Sequence, residues 1–154
     1  MTPEDLVEIE AIKVLKYRYM RAVDTRDWDL LATLLTDDAT SAYSSGKLSY
    51  TGRDAIIEFL RTSMPAGDML TSHRVHHPEI ELTSPTTATA RWALDDVVII
   101  LSANMTLRGS AYYEDRLTKV DGRWLIAHTG YRRLYEETDT RDGVKVLDDW
   151  WAHA

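Results

Sequence analysis

Two adjacent acids inside an apolar stretch are the first place where this sequence calls for chemistry. Asp95 and Asp96 interrupt the run from Trp92 to Ile100. Successive side chains of a strand point to opposite faces, so one of the two carboxylates faces inward. An inward acid needs a partner or a wetted cavity, and such acids are more often functional than structural. Alternation alone leaves open which of the two it is.

Histidines form the second cluster: His73, His76 and His77, with His128 further on. A zinc site needs three or four ligands on converging sides. His73 and His77 can share one face of a strand, whereas His76 points the other way unless a bulge intervenes, and Pro78 permits one. The expectation is that no metal is bound. The chain has no cysteine, so neither a thiolate nucleophile nor a disulfide framework is available.

A third pattern follows from the turn signal Asp121-Gly122. If these are the two central residues of a hairpin, Val120 pairs with Arg123. Leu117, Asp115 and Tyr113 then lie opposite Ile126, His128 and Gly130. That face carries Leu117, Tyr113, Trp124 and Ile126 and reads as the buried one. Asp115 and His128 would project from it, either as a polar pair at a cavity or as a structural cross-strand pair.

These residues must be held by an ordered set of elements. Thr2-Pro3-Glu4-Asp5 is a helix start, with a capping hydroxyl, Pro at the first helical position and acids at the positive end of the dipole. Ile9, Ile12, Leu15, Tyr19, Ala22 and Val23 follow at helical spacing, so the first helix should run to about Val23. Asp27 caps a short second helix carrying Leu30, Leu31, Leu34 and Leu35. Thr40 to Thr51 reads as a small hairpin turning at Ser45-Gly46, and Arg53 to Ser63 as a third helix. Four strands are then expected: Thr71–Leu82, Thr87–Ser102, Thr106–Val120 and Arg123–Tyr135. The tail from Glu136 to Ala154 reads as a strand end and a short docked helix. Trp150 and Trp151 there either line a lid or dock on the body or a partner subunit. Helices first and antiparallel strands afterwards give an α+β domain with helices on one face of a curved sheet.

Composition narrows the class further. A chain of 154 residues favours one domain, 1–154. Folding at that size buries about 70% of the surface exposed in the unfolded chain. The 18 Lys and Arg against 25 Asp and Glu give a net charge of -7, which repels a phosphate backbone and argues against nucleic acid as a partner. The acidic N-terminus lacks the basic start and apolar run of a signal peptide. The longest apolar run, Val97 to Leu101, is too short to cross a bilayer. A cytoplasmic protein without membrane contact is expected. Leu125, Ala127, Tyr112 and Tyr131 fall on the outer face of the expected sheet and predict a homodimer.

Several short segments, in this order, resemble the SnoaL-like (nuclear transport factor 2-like) superfamily. They are Tyr19-Met20-Arg21-Ala22-Val23-Asp24, Arg26-Asp27-Trp28-Asp29, Tyr50-Thr51-Gly52-Arg53-Asp54-Ala55-Ile56, Thr71-Ser72-His73 and Asp121-Gly122-Arg123-Trp124-Leu125-Ile126-Ala127-His128. The resemblance spans roughly residues 5–135. It implies a cone: a curved, mostly antiparallel sheet with the N-terminal helices on its concave face. The superfamily includes dehydratases, a dehydrochlorinase, isomerases and polyketide cyclases, besides members without catalysis. Its scytalone dehydratase, bile acid dehydratase and hexachlorocyclohexane dehydrochlorinase members use a His and an Asp in the cone without a cofactor. Asp24 and His73 match those positions, and Tyr19 matches a helix-one tyrosine of the bile acid group. The dehydrochlorinase type has a lysine near that place, so this sequence is more similar to the dehydratases. Asp96 is the better match, and Asp95 the alternative, for a further aspartate of the bile acid group.

The resemblance thus implies a cofactor-independent lyase or isomerase acting on a hydrophobic, steroid-like or polyketide-like small molecule. The alternative is a non-catalytic binding or dimerisation module on the same scaffold. In the enzyme, His73 is the base, Asp24 fixes its tautomer and Tyr19 donates to the substrate oxygen. Asp96, Tyr50, His77, His128 and Trp92 are the expected substrate contacts. Each main residue also has a structural reading: Asp24 as a helix-junction cap, His73 as a half-buried strand histidine, Tyr19 as core. Tyr19 and Asp24 converge only if the helix ends or unwinds near Val23, because five helical residues advance about 140°.

Overall fold

Helix α1 (Pro3–Thr25) begins with the cap that the sequence spells out. The Thr2 hydroxyl accepts from the Asp5 amide, and Asp5 accepts from the Thr2 amide at 2.7 Å. The helix stays regular to Thr25 and stops at Arg26, whose backbone is left-handed at φ 58°. The Arg26 side chain then bonds the carbonyls of Met64 and Val23 at 2.9 and 2.8 Å, the Thr71 hydroxyl at 2.9 Å, and the Met69 carbonyl. One side chain thereby laces the end of α1 to the segment that enters the long strands.

The computed structural model describes residues 1–153; Ala154, the last residue of the expected tail, lies outside them. Helix α2 (Trp28–Leu34) is capped by Asp27, which accepts from the Leu30 amide at 3.0 Å. Strand β1 (Leu35–Tyr43) starts at Leu35, five residues before the expected Thr40, because Leu35 pairs with Ile126 instead of continuing the helix. A 3₁₀ turn at Ser44–Gly46 leads to β2 (Leu48–Thr51), and α3 (Arg53–Ser63) has the bounds read from the sequence. The long strands are β3 (Met69–Ser84), β4 (Thr87–Ile100), β5 (Met105–Val120) and β6 (Arg123–Thr140). Strand β6 runs five residues beyond the expected Tyr135. A 3₁₀ turn at Trp150–His153 closes the tail, with the Trp151 ring 5.2 Å from the Arg26 guanidinium.

The six strands form one curved sheet in the order β2-β1-β6-β5-β4-β3, antiparallel except for the parallel β1–β6 pair. The three helices pack on its concave face, giving the α+β cone architecture. Ile12, Leu15, Met20 and Val23 of α1 are buried with Trp92, Leu94, Ala111, Leu117 and Ile126 of the sheet. Each buried Val, Leu, Ile or Met among them contributes about 1.5–3 kcal/mol, which is what holds the helices to the sheet. No helix among the described residues is long and apolar enough to cross a membrane.

The β5–β6 register is a correction of the sequence reading. Val120 pairs with Arg123 and Leu117 with Ile126 as expected, but the register then shifts between Leu117 and Arg116. One extra residue in β6 forms a bulge there, so Arg116 pairs with His128, Asp115 with Thr129 and Tyr113 with Tyr131. A one-residue slip exchanges the faces of everything beyond it. Asp115 keeps its expected inward place, since the extra residue lies in β6, but His128 points outward beside Arg116, and the expected Asp115–His128 pair does not form. Tyr131 turns inward against Tyr43 and Tyr113, with ring centroids 6.0 and 5.4 Å apart, and leaves the outer face.

Candidate functional site

Because α1 runs straight to Thr25 and Arg26 fixes the chain behind it, the Asp24 carboxylate lies against the start of β3. Three donors converge on it. The His73 ring Nδ1 is 2.6 Å from Asp24 Oδ1, the His73 backbone amide donates to Oδ2 at 2.9 Å, and the Thr71 hydroxyl donates to Oδ1 at 3.0 Å. The two side chains are 14% and 15% exposed, enough to meet a ligand without being bathed in solvent. With Nδ1–H donated to the carboxylate, the His73 Nε2 carries the free lone pair. Both residues line an open groove of about 490 Å³ between α1 and β3, together with Tyr17, Met20, Val75 and Trp150.

Directly across the sheet, His73 pairs with Asp96, so both side chains leave the same face. Asp96 is the inward member of the acidic pair, 4% exposed. Asp95 points outward to His76, 3.2 Å away. The buried Asp96 has a cation: Arg133 of β6 bonds Oδ1 at 2.5 Å and Oδ2 at 3.0 Å in a two-pronged contact. Burial works against the Arg133 charge, but the Asp96 hydrogen bonds and charge outweigh it and hold the guanidinium above its ordinary range. Arg133 was not singled out by the sequence reading. Only the β6 bulge puts it on the inner face; without it, alternation from Ile126 would place Arg132 there.

A second polar group lies deeper, under α1. Lys16 is 2.9 Å from Asp115 Oδ2 and donates to Thr129 at 3.3 Å, with its ammonium 3.6 Å from the Tyr113 ring centroid. Burial holds the Lys16 ammonium below its ordinary range, with Asp115 opposing that shift. Tyr19 belongs to this group. Its hydroxyl meets that of Tyr43 at 2.7 Å and is 1% exposed, and burial raises its pKa well above the phenol range. The helix does not unwind at Val23, so the condition for Tyr19 to converge with Asp24 is not met. Lys16 was legible in principle: it falls on the apolar stripe, one turn after Ile12.

The remaining expected contacts are scattered. Trp92 is fully buried in the core, its ring edge-on to Tyr17 at 6.3 Å. Tyr50 stacks on Phe59 at 4.3 Å near the β1–β2 hairpin. His77 sits in a bulge between His76 and Glu79, with φ 47°, as Pro78 allowed. His128 hydrogen-bonds Thr40 at 2.6 Å on the outer face, where burial and then Arg116 lower its pKa. Among the described residues, no three His, Asp or Glu side chains stand close enough to hold an ion together.

The SnoaL-like domain family matches residues 4–130. The chain belongs to this family. Among solved structures, the SnoaL-like chain is similar to a candidate scytalone dehydratase of Novosphingobium aromaticivorans, with 27% identity, a TM-score of 0.80, and 89% of this chain and 91% of that one covered. A Mycobacterium tuberculosis protein of unknown function is 28% identical at a TM-score of 0.71, over 86% and 76% of the two chains. A type 2 hexachlorocyclohexane dehydrochlorinase shares the fold at a TM-score of 0.81 and 19% identity, over 95% and 97%.

Proposed function

We propose that this SnoaL-like chain is a cofactor-independent lyase or isomerase that removes a proton beside a carbonyl of a hydrophobic, oxygenated small molecule. The single observation that supports this reading is the 2.6 Å contact between His73 and Asp24 at the wall of an open groove. His73 Nε2 takes the proton from carbon, and the Asp24 carboxylate stabilises the imidazolium that forms. In a dehydration the electrons of the broken C–H bond form the new C=C bond. The C–O bond breaks at the neighbouring carbon, and the imidazolium returns its proton to the departing hydroxyl, so that water leaves and the base is regenerated. Tyr17, Met20, Val75 and Trp150 give the groove the apolar surface that a steroid-like or polyketide-like skeleton would need.

A panel of hydroxylated ketones of these two skeleton types, assayed by mass spectrometry for loss of one water, tests the reading. Turnover of at least one member, abolished in His73→Ala, is expected. Binding of panel members with no turnover would favour the alternative, a binding module.

The outer sheet face still carries Leu125, Ala127 and the exposed Tyr112, and it is the surface through which two copies would pair. Sedimentation at micromolar concentration is expected to give a dimer mass, and Tyr112→Glu to lower it; a monomer throughout would refute the pairing.

A further inference from the structure

Asp96, Gly109 and Arg133 lie on three neighbouring strands, and the middle one has no side chain. Asp96 pairs with Gly109 across β4–β5, and Arg133 reaches over Gly109 to take both carboxylate oxygens. A Cβ on Gly109 would stand 2.8 Å from the Arg133 guanidinium carbon and 3.0 Å from Asp96 Oδ1, closer than packed carbons come. The glycine is therefore the gap through which the guanidinium passes.

We propose that Arg133, admitted across Gly109, is a positioning residue that cancels the Asp96 carboxylate beside His73 and so leaves the imidazole under the influence of Asp24 alone. The inference deepens the proposed reaction, since it concerns the charge of the same base. An imidazole flanked by two uncompensated carboxylates gains a proton readily, and opposite charges within about 4–6 Å favour the charged form by about 1–3 pH units. An imidazolium has no lone pair with which to take a proton from carbon. Asp96 is nearly fully buried, so solvent screens it little and the task falls to a fixed countercharge.

The other charged groups around His73 are placed differently. From α1 come Asp24 and the exposed Arg21 on the groove wall, and from the residue that caps it comes Arg26, whose guanidinium bonds the Asp24 carbonyl at 3.3 Å. From β3 itself comes Arg74, 3.6 Å from Asp24 Oδ2 but 66% exposed and screened. From β6 comes Arg133, whose Nε faces Glu136 at 3.1 Å; among the described residues of the tail, the uncharged Trp150 lines the groove. Among these, Arg133 alone engages Asp96.

The test is a histidine-ring NMR titration of the full chain between about pH 5 and 9, with the His73 signal assigned by its loss in His73→Gln. It needs no substrate, so its failure is distinct from failure of the proposed reaction. In Arg133→Gln the His73 midpoint should rise by about one pH unit or more relative to the native protein. The double variant Asp96→Asn/Arg133→Gln should return it to the native position. Gly109→Ala keeps every charge but separates the pair, so it should shift the midpoint in the same upward direction and carries the test if Arg133→Gln does not fold. An unchanged midpoint in Arg133→Gln or Gly109→Ala, or a shift that persists in the double variant, overturns the inference.

Discussion

Replacing His73 by alanine is expected to lower turnover of any accepted substrate by about 10² to 10⁴, the usual contribution of a general base. Stability should change little. The ring lines the groove instead of filling the core, and Asp24 keeps its bonds to the Thr71 hydroxyl and to the backbone amide of residue 73, which alanine retains. Losing one hydrogen bond of this kind costs about 1 kcal/mol, or about 2–4 °C in Tm for a chain of this length. Asp24→Asn is a less clean probe. Three donors converge on the carboxylate, and an amide presents one acceptor and one donor end, so one of the three is left facing an N–H. That variant should lose activity and about 1–3 kcal/mol together. Turnover retained in His73→Ala would remove the histidine from the chemistry.

Lys16→Met should be the most destabilising single change, costing about 3–5 kcal/mol. The side chains of Lys16 and Asp115 are 1% and 0% exposed at 2.9 Å, so deleting the cation strands a carboxylate in the core. Thr129 and the Tyr113 ring sit beside the ammonium and offer Asp115 no replacement charge. Set against the roughly 5–15 kcal/mol that holds a domain together, such a loss leaves little margin. Removing both charges in Lys16→Met/Asp115→Leu should recover most of it, since apolar pairs often replace buried ion pairs at no cost. Urea unfolding of the two variants beside the native protein checks this. Equal destabilisation of single and double variants would mean that shape, not charge, governs the position.

The order of helices and strands was readable because caps, turns and apolar spacing are local properties. Thr2, Asp27 and Asp121-Gly122 each act within a few residues of themselves. The inward placement of an acid at 95 or 96 was equally local, since strand alternation requires it. What could not be read was the partner. Arg133 lies 37 residues from Asp96, and the face it takes depends on one extra residue in β6, which no local signal announces. The same bulge undid the expected Asp115–His128 pair and the assignment of Tyr131 to the outer face. For Tyr19 the structure favours the core reading: the apolar stripe that buries it also carries Lys16, and together they form a polar group inside the core.

The Arg26 hub has a consequence for how this chain can vary. Its guanidinium holds the segment before β3 largely through main-chain carbonyls, those of Met64 and Met69, which every amino acid possesses. Positions 64 and 69 are thus released from any demand that this contact would make on their side chains, whereas Arg26 has no substitute of equal reach and fork geometry. Tolerance to substitution is distributed unevenly across one set of bonds: the residues that accept through their main chain are interchangeable, and the one that donates is not.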